Sequence, residues 1–267
     1  MASGAPIGAF KKISIVTVAA NTLWRNYISC MPNKALLIFT KIPYLGTVKS
    51  RLLPTYSRKE AATIYAAMLA DTLLAAADLS VILPTIAIEI YLANGSRQEL
   101  QKQLLLRLNP FCPQGKKQRI SSLLNQVQYH HQKGEDIGER MYQALYNHNI
   151  DKQPAILIGC DCPGLTAQYL QQAFIALDKH PTILTPTLDN GYCLIGSRSV
   201  IPELFSNIAW STDTVLPDTI QNAQKAAIDL FLLPQLHDID TPLDLATATD
   251  ISDDSLLARY LTTLPVK

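Results

Sequence analysis

The sequence lacks both of the common glycine-rich phosphate motifs, GxxxxGK and GxGxxG. The chain therefore has neither a Walker loop nor a dinucleotide-binding fingerprint. It also lacks an excess of charge, because 23 lysines and arginines are balanced by 22 aspartates and glutamates to a net charge of +1. A charge this close to neutral gives no broad electrostatic attraction to nucleic acid or anionic lipid. We therefore expect neither as a partner.

Cysteine is scarce, with thiols at Cys30, Cys112, Cys160, Cys162 and Cys193. The chain has 267 residues, which is long enough to bury a sizeable core without disulfides. An odd, small number of cysteines in such a chain is typical of a reducing compartment. We expect five free thiols and a cytoplasmic protein.

The apolar run near the start of the chain, residues 13–20, is far shorter than the roughly 20 residues that span a bilayer, so we expect no membrane span. A secretory leader is an alternative, because Ala19-Ala20 resembles a cleavage site. Regular structure is predicted only after Met31, which we expect to be the natural start. We predict that residues 1–34 form a poorly ordered extension and that residues 35–267 form one domain.

Short apolar segments alternate with longer amphipathic ones after Met31, which predicts βαβ units around a largely parallel sheet and hence an α/β fold. Strands are predicted at 35–40, 85–93, 126–130, 155–159, 182–186, 192–196 and 229–234. Helices are predicted from the Ser57 cap to 78 and at 99–108, 137–147, 166–178 and 212–226, with another starting at Thr241-Pro242. No repeat or low-complexity linker indicates a second domain.

Basic residues follow the first predicted strand in the segment KIPYLGTVKSRL, residues 41–52. In an open α/β sheet the ligand site lies beyond the carboxyl ends of the strands, which is where this loop begins. Gly46 permits a tight turn. Lys41 and Lys49 supply point charges, and Arg51 supplies a planar guanidinium; together these groups suit a diphosphate. A solvated basic loop is the alternative interpretation.

An aspartate follows the strongest predicted strand, in the segment ILIGCDCPGL. A carboxylate is costly at the end of a fully apolar strand unless a cation offsets its desolvation, so Asp161 is the leading candidate metal ligand. A cap or turn aspartate before Pro163-Gly164 is the alternative. Cys160 and Cys162 flank it as CxC, but no second pair follows at a spacing that fits zinc, so we interpret them as ordinary thiols.

A second carboxylate-rich turn follows the last predicted strand, in LPQLHDIDTPLDL. Asp238 and Asp240 alternate with Leu236 and Ile239, so one carboxylate could face the cleft, and we choose Asp240 as the second metal ligand. A helix cap before Thr-Pro is the alternative for Asp240. His237 is a candidate third ligand, although a lone histidine is more often only hydrogen-bonded.

The segment PTLDNGYCLIG is a candidate substrate wall, because it places an aspartate before an Asn-Gly turn and a strand. Asp189 could act as a base or read sugar hydroxyls, with Gly191 and Tyr192 beside it. A plain hairpin turn is the alternative.

Two other polar segments are candidates for contacts with substrate. NIAWSTDTVL places Trp210 before Ser211 and Thr212 at a predicted helix start, where the indole could stack on a sugar ring or belong to the core. QKGEDIGERM, residues 132–141, opens a helix and could read a base.

Six ordered segments resemble a family of bacterial proteins with the glycosyltransferase-A (GT-A) fold; they are FTKIPYLGTVKSRL, QKGEDIGERM, LIGCDCPGL, PTLDNGYCLIG, AWSTDTVL and HDIDTPLDL. The family was long described as a domain of unknown function and is named in part for proposed glycosyl transfer in arsenosugar biosynthesis. The resemblance covers residues 35 to about 250. It implies a three-layer α/β/α, Rossmann-like fold of the nucleotide-diphospho-sugar transferase superfamily, with a mostly parallel central sheet.

The wider superfamily includes sugar-nucleotide pyrophosphorylases and a guanylyltransferase with a similar Lys-x-Arg-Leu loop, in which the first loop holds phosphates. This similarity implies three groups of roles: phosphate binding by Gly46, Lys49 and Arg51, base binding by Gln132 and Gly138, and metal binding by Asp161 and Asp240. Arg140, in the same segment as Gln132 and Gly138, is a further candidate for contacts with the nucleotide. Two departures stand out. Glycosyltransferases of this fold usually show Asp-x-Asp where this chain has Cys160-Asp161-Cys162, and family members more often show Asp-Gly-Gly where it has Asp189-Asn190-Gly191. Asparagine tolerates the same positive φ, so we expect that turn to survive.

The leading functional hypothesis is metal-assisted glycosyl transfer from a nucleoside-diphosphate sugar to a small-molecule acceptor. Mg²⁺ or Mn²⁺ held by Asp161 and Asp240 would offset charge on the leaving diphosphate, with Lys49 and Arg51 assisting, while Asp189 deprotonates the acceptor. Nucleotidyl transfer of the guanylyltransferase or pyrophosphorylase type uses the same parts and is the first alternative. A nucleotide-sugar binding protein without turnover is the second, and a homodimer is also kept open.

Overall fold

The computed structural model describes residues 34–149, 153–199 and 201–265. Their strands form one seven-stranded sheet in the order β3-β2-β1-β4-β6-β5-β7. The strands are β1 (Lys34–Thr40), β2 (Ile86–Leu92), β3 (Gln128–His131), β4 (Ala155–Ile158), β5 (Thr182–Pro186), β6 (Tyr192–Ser197) and β7 (Leu230–Leu232). β6 runs antiparallel to β4 and β5, and the other pairs are parallel, so the predicted α/β fold with a mostly parallel sheet is confirmed.

Eight helices connect and cover these strands in the described part of the chain. They are α1 (Arg58–Ile82), α2 (Arg97–Leu108), α3 (Gln114–Gln126), α4 (Ile137–Asn149), α5 (Ala167–Lys179), α6 (Val215–Lys225), α7 (Pro242–Thr247) and α8 (Leu256–Leu261), with 3-10 turns at Ser50–Leu52 and Pro202–Phe205. Residues 33–267 form one compact unit. The extension predicted for residues 1–34 lies outside the described residues apart from Lys34, which begins β1.

The first strand shows why helices cover both faces of the sheet. Side chains alternate along a strand, so Leu36 and Ile38 face one apolar layer while Leu37 and Phe39 face the other. The first layer is completed by α1, α2, α3, α5 and α8, and the second by α4 through residues such as Leu145. The result is the three-layer α/β/α arrangement that the family resemblance implied.

The longest helix, α1, is the centre of the larger layer. Ser57 and Glu60 form a reciprocal capping box at its start, in which each side chain accepts from the other residue's backbone N–H. The helix is long and apolar enough to span a membrane by length and composition, with a mean hydropathy of 1.5 over 18 residues. In the described structure, 67% of that window is buried among the surrounding elements, as in the core helix of a globular protein.

Two helices were not predicted from the sequence, and several element boundaries differ, most clearly those of α6 and β7. α3 was not predicted because its segment is largely polar, and it buries only Ile120, Leu123 and Leu124. α8, a single six-residue stretch, was not predicted either. α6 begins at Val215 rather than at residue 212, since Thr212 Oγ1 donates to Ala209 O at 2.6 Å in a preceding turn. β7 is shorter than predicted, at three residues.

Candidate active site

Three adjoining cavities lie where the carboxyl ends of the parallel strands meet. Ile137 and Asp240 line all three, so the cavities form one branched cleft. We name its branches by the chemistry of their walls. The cation lobe (about 350 Å³) includes Lys41, Lys49 and Arg51; the acid lobe (about 210 Å³) includes Asp161, Asp189 and Asp238; the aromatic lobe (about 450 Å³) includes Tyr192, Trp210 and Thr212.

The loop that follows β1 forms one wall of the cation lobe. Gly46 has a φ of 77° and Lys49 a φ of 50°, so the chain turns sharply before the 3-10 turn at Ser50–Leu52. Left-handed backbone is easy for glycine but costs a lysine roughly 1–2 kcal/mol. Ile42 and Leu52 are fully buried and anchor the loop. The predicted basic loop is therefore fixed against the core rather than freely solvated.

Lys49 connects the two aspartates that the sequence assigned to a metal. Its Nζ lies 3.0 Å from Asp161 Oδ1 and 2.7 Å from Asp240 Oδ1, and only 5% of its side chain is exposed. Arg51 Nη1 lies 3.2 Å from Asp240 Oδ2. Burial alone would lower the pKa of Lys49, but the carboxylates of Asp161 and Asp240 outweigh it and raise that pKa above its usual value. Lys49 is therefore a charged bridge between the ends of two distant segments.

A backbone contact brings the segment that follows β7 against the end of β4. Ile239 N donates to Asp161 O at 3.0 Å, and the Ile239 side chain is fully buried. Side chains alternate along extended backbone, so Asp238 and Asp240 both lie on the cleft side, where the sequence predicted only one. Thr241, and not Asp240, caps α7. Burial alone would raise the pKa of Asp240, but Lys49, and then Arg51 and Lys41, hold that pKa below its ordinary value.

Asp238 is the carboxylate that sequence reasoning passed over. It lines the acid lobe beside Asp161, Asp189 and Asp240. Burial, followed by the nearby carboxylates of Asp189 and then Asp240, raises the pKa of Asp238 to about 6. The lining of the acid lobe therefore contains four carboxylates and no lysine or arginine.

Asp189 stands at the border between two lobes, since it lines both the acid lobe and the aromatic lobe. Its Oδ1 accepts from Thr187 Oγ1 at 2.6 Å and from Gly191 N at 2.9 Å. Asn190 has a φ of 63°, as the sequence predicted for this turn. Leu216 N donates to Asn190 O at 2.9 Å, which ties the turn to the start of α6. The carboxylate is thus held in a fixed position.

Trp210 forms the apolar wall of the aromatic lobe and is half-buried. Its ring lies edge-on to Tyr192, with centroids 6.4 Å apart, and is stacked with Phe205 at 6.5 Å. The ring also packs directly on Gly138, where an added Cβ would lie only 2.0 Å from Trp210 Cε2. The indole therefore packs partly against the smaller apolar layer, as one prediction had it, and partly lines the cleft, while its stacking on a sugar ring stays a prediction.

Comparison with known proteins shows a family match over part of the chain. The model of the bacterial family DUF2064, described as an uncharacterized protein conserved in bacteria, matches residues 87–212. The assignment made from the sequence motifs is confirmed, and the matched range contains Asp161, Asp189 and Trp210 but not Lys49 or Asp240. No functionally curated protein matches the chain.

Solved structures confirm the fold. A protein from Desulfovibrio desulfuricans G20, provisionally named a nucleotide-diphospho-sugar transferase, is 26% identical and covers 86% of this chain and 99% of its own, with a TM-score of 0.66. More distant are 4-diphosphocytidyl-2C-methyl-D-erythritol synthase from Anaerococcus prevotii (12% identical, 80% and 95% covered, TM-score 0.44) and a cytidylyltransferase from Leptospira borgpetersenii (12%, 86% and 93%, 0.43). The likeness to the Desulfovibrio protein shows that this chain has the nucleotide-diphospho-sugar transferase fold.

Several predicted contact residues lie at the edge of the cleft or outside it. Gln132 lines the cation lobe, but its Nε2 donates to Tyr91 O at 3.0 Å, and Arg140 Nε donates to Gly134 O at 2.9 Å. Arg140, Gly138 and Gly46 line none of the three lobes. Ser211, with a φ of 66°, does line the aromatic lobe.

His237 faces away from the proposed metal ligands. Its Nδ1 lies 3.5 Å from Asp250 Oδ1, its backbone N donates to Asp250 Oδ2 at 3.4 Å, and it lines none of the lobes. We therefore leave His237 out of the proposed metal site. Its imidazole and its backbone N both contact the carboxylate of Asp250 instead.

The cysteines of the described residues are free thiols, as predicted for Cys112, Cys160, Cys162 and Cys193. Burial, and then the Asp161 carboxylate, raise the pKa of Cys160 to about 12. That thiol therefore stays neutral and serves as a hydrogen-bond partner. Cys30 lies outside the described residues.

The acid lobe offers the oxygen ligands that Mg²⁺ or Mn²⁺ prefers. Asp161 Oδ1 is buried and makes no hydrogen bond of good geometry, although Lys49 Nζ is 3.0 Å away, and Asp238 lacks a cation to offset its neighbours. Within the described ranges, no group of three or more His, Cys, Asp or Glu side chains is arranged to hold a metal as it stands. These carboxylates suit such a cation by chemistry and by charge, and Lys49 Nζ bridges two of them, Asp161 and Asp240.

Asp238→Asn is expected to raise the stability of the protein at pH 7, by about 1 kcal/mol once solvent screening is allowed for. The folded-state pKa of Asp238, about 6, lies above its unfolded value, so its favourable contribution is complete below about pH 4 and lost as the pH rises through 6. The advantage of the variant should therefore grow between pH 4 and pH 7. Urea denaturation at pH 4, 5.5 and 7 measures it.

The exposed Asp253, changed to Asn, is the control and should alter stability little at any of these pH values. If Asp238→Asn were less stable than the wild type at pH 7, Asp238 would have favourable partners that the acid lobe does not provide.

Tyr65 joins the ends of β1 and β4 beneath the cation lobe. Its hydroxyl accepts from Lys41 N at 2.9 Å, lies 3.0 Å from Thr40 Oγ1 and accepts from Cys160 Sγ at 3.2 Å. Tyr65→Phe leaves these buried groups short of a partner and is expected to destabilise the protein by about 1–3 kcal/mol. Urea denaturation measures the loss, and Tyr146→Phe, at an exposed position, should change stability little. Equal effects of the two variants would mean that the buried hydroxyl contributes nothing.

Proposed function

We propose that this protein is a glycosyltransferase that uses a nucleoside-diphosphate sugar, a divalent cation and a small-molecule acceptor. One observation carries the proposal: Lys41, Lys49 and Arg51 from a single loop share a lobe with Asp161 and Asp240 from two other strand ends. Cations that can hold a diphosphate therefore stand beside carboxylates that can hold a metal. The provisional name of the Desulfovibrio relative supports the same donor class.

The cation lobe is proposed to bind the donor diphosphate. Arg51 keeps 67% of its side chain exposed while it contacts Asp240, so its remaining N–H groups can donate to phosphate oxygens. Lys49 is held at the base of the lobe by two carboxylates and supplies a fixed positive charge. Charge that develops on the leaving diphosphate would meet preorganised cations, which is the most effective form of electrostatic stabilisation.

The acid lobe is proposed to hold Mg²⁺ or Mn²⁺ through Asp161, Asp238 and Asp240. When bound, the cation would act as a Lewis acid toward the diphosphate oxygens. Asp189 lines the next branch of the cleft, where its fixed carboxylate could take a proton from the acceptor hydroxyl. Leaving group and acceptor would thus occupy two branches of one cleft, both of which Asp240 lines.

Two other reactions or roles would use the same side chains. Nucleotidyl transfer would release pyrophosphate from a nucleoside triphosphate, and a binding protein would release nothing. The first loop lacks the glycine-rich sequence of pyrophosphorylases, which favours glycosyl transfer. The side chains on the cleft walls do not by themselves separate the three.

The test is to incubate the protein with Mg²⁺ or Mn²⁺, a panel of small-molecule acceptors that carry hydroxyl groups, and one of two sets of donors, and to identify the released phosphates. The first set is UDP-, GDP-, ADP- and TDP-sugars, and the second is the nucleoside triphosphates with sugar phosphates. Release of nucleoside diphosphate that stops when EDTA is added supports the proposal. Release of pyrophosphate overturns it in favour of nucleotidyl transfer. Binding of a nucleotide sugar without release of either product overturns it in favour of a binding protein.

A further inference from the structure

The aromatic lobe differs in charge from the rest of the cleft. Its ionisable lining consists of three carboxylates and one guanidinium, from Asp189, Asp213, Asp240 and Arg51. The guanidinium is already paired, since Arg51 Nη1 lies 3.2 Å from Asp240 Oδ2. A phosphate or carboxylate group entering this lobe would meet like charge, whereas the cation lobe beside it attracts anions.

The same lobe has an apolar platform that is held rigidly. Trp210 rests on Gly138, with no room for a Cβ between them, and is flanked by Tyr192 and Phe205. Ile137 adds a partly exposed aliphatic surface. A fixed indole with carboxylates around it suits a compound that offers a flat C–H face together with hydroxyl or ammonium donors.

We infer that the aromatic lobe is the acceptor subsite and that it selects a neutral or cationic polyhydroxylated compound of sugar or amino-sugar type, excluding phosphorylated and carboxylated ones. That the compound bound here is the acceptor rests on the proposed function. Asp189 lines this lobe as well as the acid lobe, so a hydroxyl on a ring stacked against Trp210 would lie beside the proposed base. Asp213 is assigned as a residue that sets specificity, because it belongs to this lobe alone.

The experiment uses Trp210 as its own reporter. The chain has two tryptophans, Trp24 and Trp210, so Trp24→Phe leaves Trp210 as the single indole fluorophore. Methyl glucoside, glucosamine and glucose 6-phosphate are titrated at pH 7 without any nucleotide. We expect saturable changes in emission with the first two, and at least about tenfold weaker binding of the phosphate ester because of like-charge repulsion. Equal or tighter binding of glucose 6-phosphate overturns the inference, as does a lack of response to all three.

Variants separate specificity from general damage. Asp213→Lys should reduce the ratio of the affinity for methyl glucoside to that for glucose 6-phosphate by at least about threefold. Asp253→Lys, at an exposed site outside the cleft, should leave that ratio unchanged. An unchanged preference in Asp213→Lys would remove Asp213 from the subsite. Gly138→Ala, which must displace the indole, should weaken glycoside binding and alter Trp210 emission while binding of a nucleoside diphosphate, followed by calorimetry, stays the same.

Glycoside binding and nucleotide-sugar cleavage are measured separately, so the failure of this inference can be told from the failure of the proposed function. If glycosides bind at Trp210 but no nucleotide sugar is ever cleaved, the proposed reaction fails and the subsite for neutral polyols stands. If nucleotide sugars are cleaved but glycosides do not bind at Trp210, the acceptor inference fails alone. Weaker nucleoside-diphosphate binding in Gly138→Ala would instead support the base-binding role that the sequence suggested for Gly138.

Discussion

Lys49→Met is expected to lose at least about 100-fold in affinity for a nucleoside-diphosphate sugar, the scale expected when one partner of a buried charge pair at a binding site is removed. Methionine keeps most of the buried volume and removes the charge. The loss has two sources, since the diphosphate loses a fixed cation and the carboxylates of Asp161 and Asp240 lose the ammonium that lies 3.0 and 2.7 Å away. Calorimetric titration of the panel of nucleotide sugars measures the change.

Stability should fall in the same variant. Two carboxylates that shared a buried ammonium are left close together, and breaking a buried ion pair from one side costs about 3–5 kcal/mol. The actual loss should be smaller, about 1–3 kcal/mol, because 43% of the Asp161 side chain and 36% of the Asp240 side chain are exposed to solvent. Although burial alone would raise the pKa of Asp240, Lys49 holds that pKa below its ordinary value in the wild type, so the difference in stability between the two proteins should shrink as the pH falls below about 4.

The matched control is Lys34→Met. Lys34 also forms an ion pair, with its Nζ 2.7 Å from Asp178 Oδ1. Because Lys34 begins β1, it lies at the opposite end of the parallel strands from the cleft. Its loss should cost less than about 1 kcal/mol and leave nucleotide-sugar affinity unchanged. Donor affinity retained in Lys49→Met would place the diphosphate elsewhere and leave Lys49 as a purely structural bridge.

The sheet and its loop were predictable because their signals are local. An apolar run such as residues 35–40 identifies a buried strand wherever it pairs, and the rule that ligands lie beyond carboxyl strand ends then points to the basic loop at 41–52. The same rule predicted that Asp161 and Asp240 lie close together, although the sequence does not show the lysine that both contact. Lys49 bridges them because it follows the same rule from a third strand end.

The missed features depend on contacts between residues far apart in sequence. Alternation alone says that Asp238 and Asp240 share a side, but only the burial of Ile239 against Asp161 shows that this side is the cleft. The sequence predicted that Gly138 binds the nucleotide base, whereas in the structure a glycine is required there because the Trp210 ring packs where a Cβ would lie. α3 was missed because a polar segment with three buried side chains becomes a helix through packing rather than through its own periodicity.

Asp161→Ala is expected to abolish metal-dependent binding of the nucleotide sugar while leaving the melting temperature nearly unchanged or slightly higher. The proposed cation loses its central ligand, but the fold loses little. Asp161 Oδ1 is buried without a well-formed hydrogen bond, and Lys49 keeps its 2.7 Å contact with Asp240. The capping role belongs to Thr166, whose side chain accepts from Tyr169 N at the start of α5, so no helix cap is removed. Titration with and without Mn²⁺, together with thermal unfolding, tests both halves of the prediction.

The comparison with Lys49→Met makes the result specific to the metal. Without Mn²⁺, removal of Asp161 should affect nucleoside-diphosphate binding little, because the carboxylate is lost while Lys49 and Arg51 remain, whereas removal of Lys49 should weaken binding with or without the metal. Asp178→Ala, which breaks the ion pair with Lys34, should leave both titrations unchanged. A marked drop in melting temperature with Mn²⁺-dependent binding intact would instead make Asp161 a turn residue, and the cation would then have to be held by Asp238 and Asp240 alone.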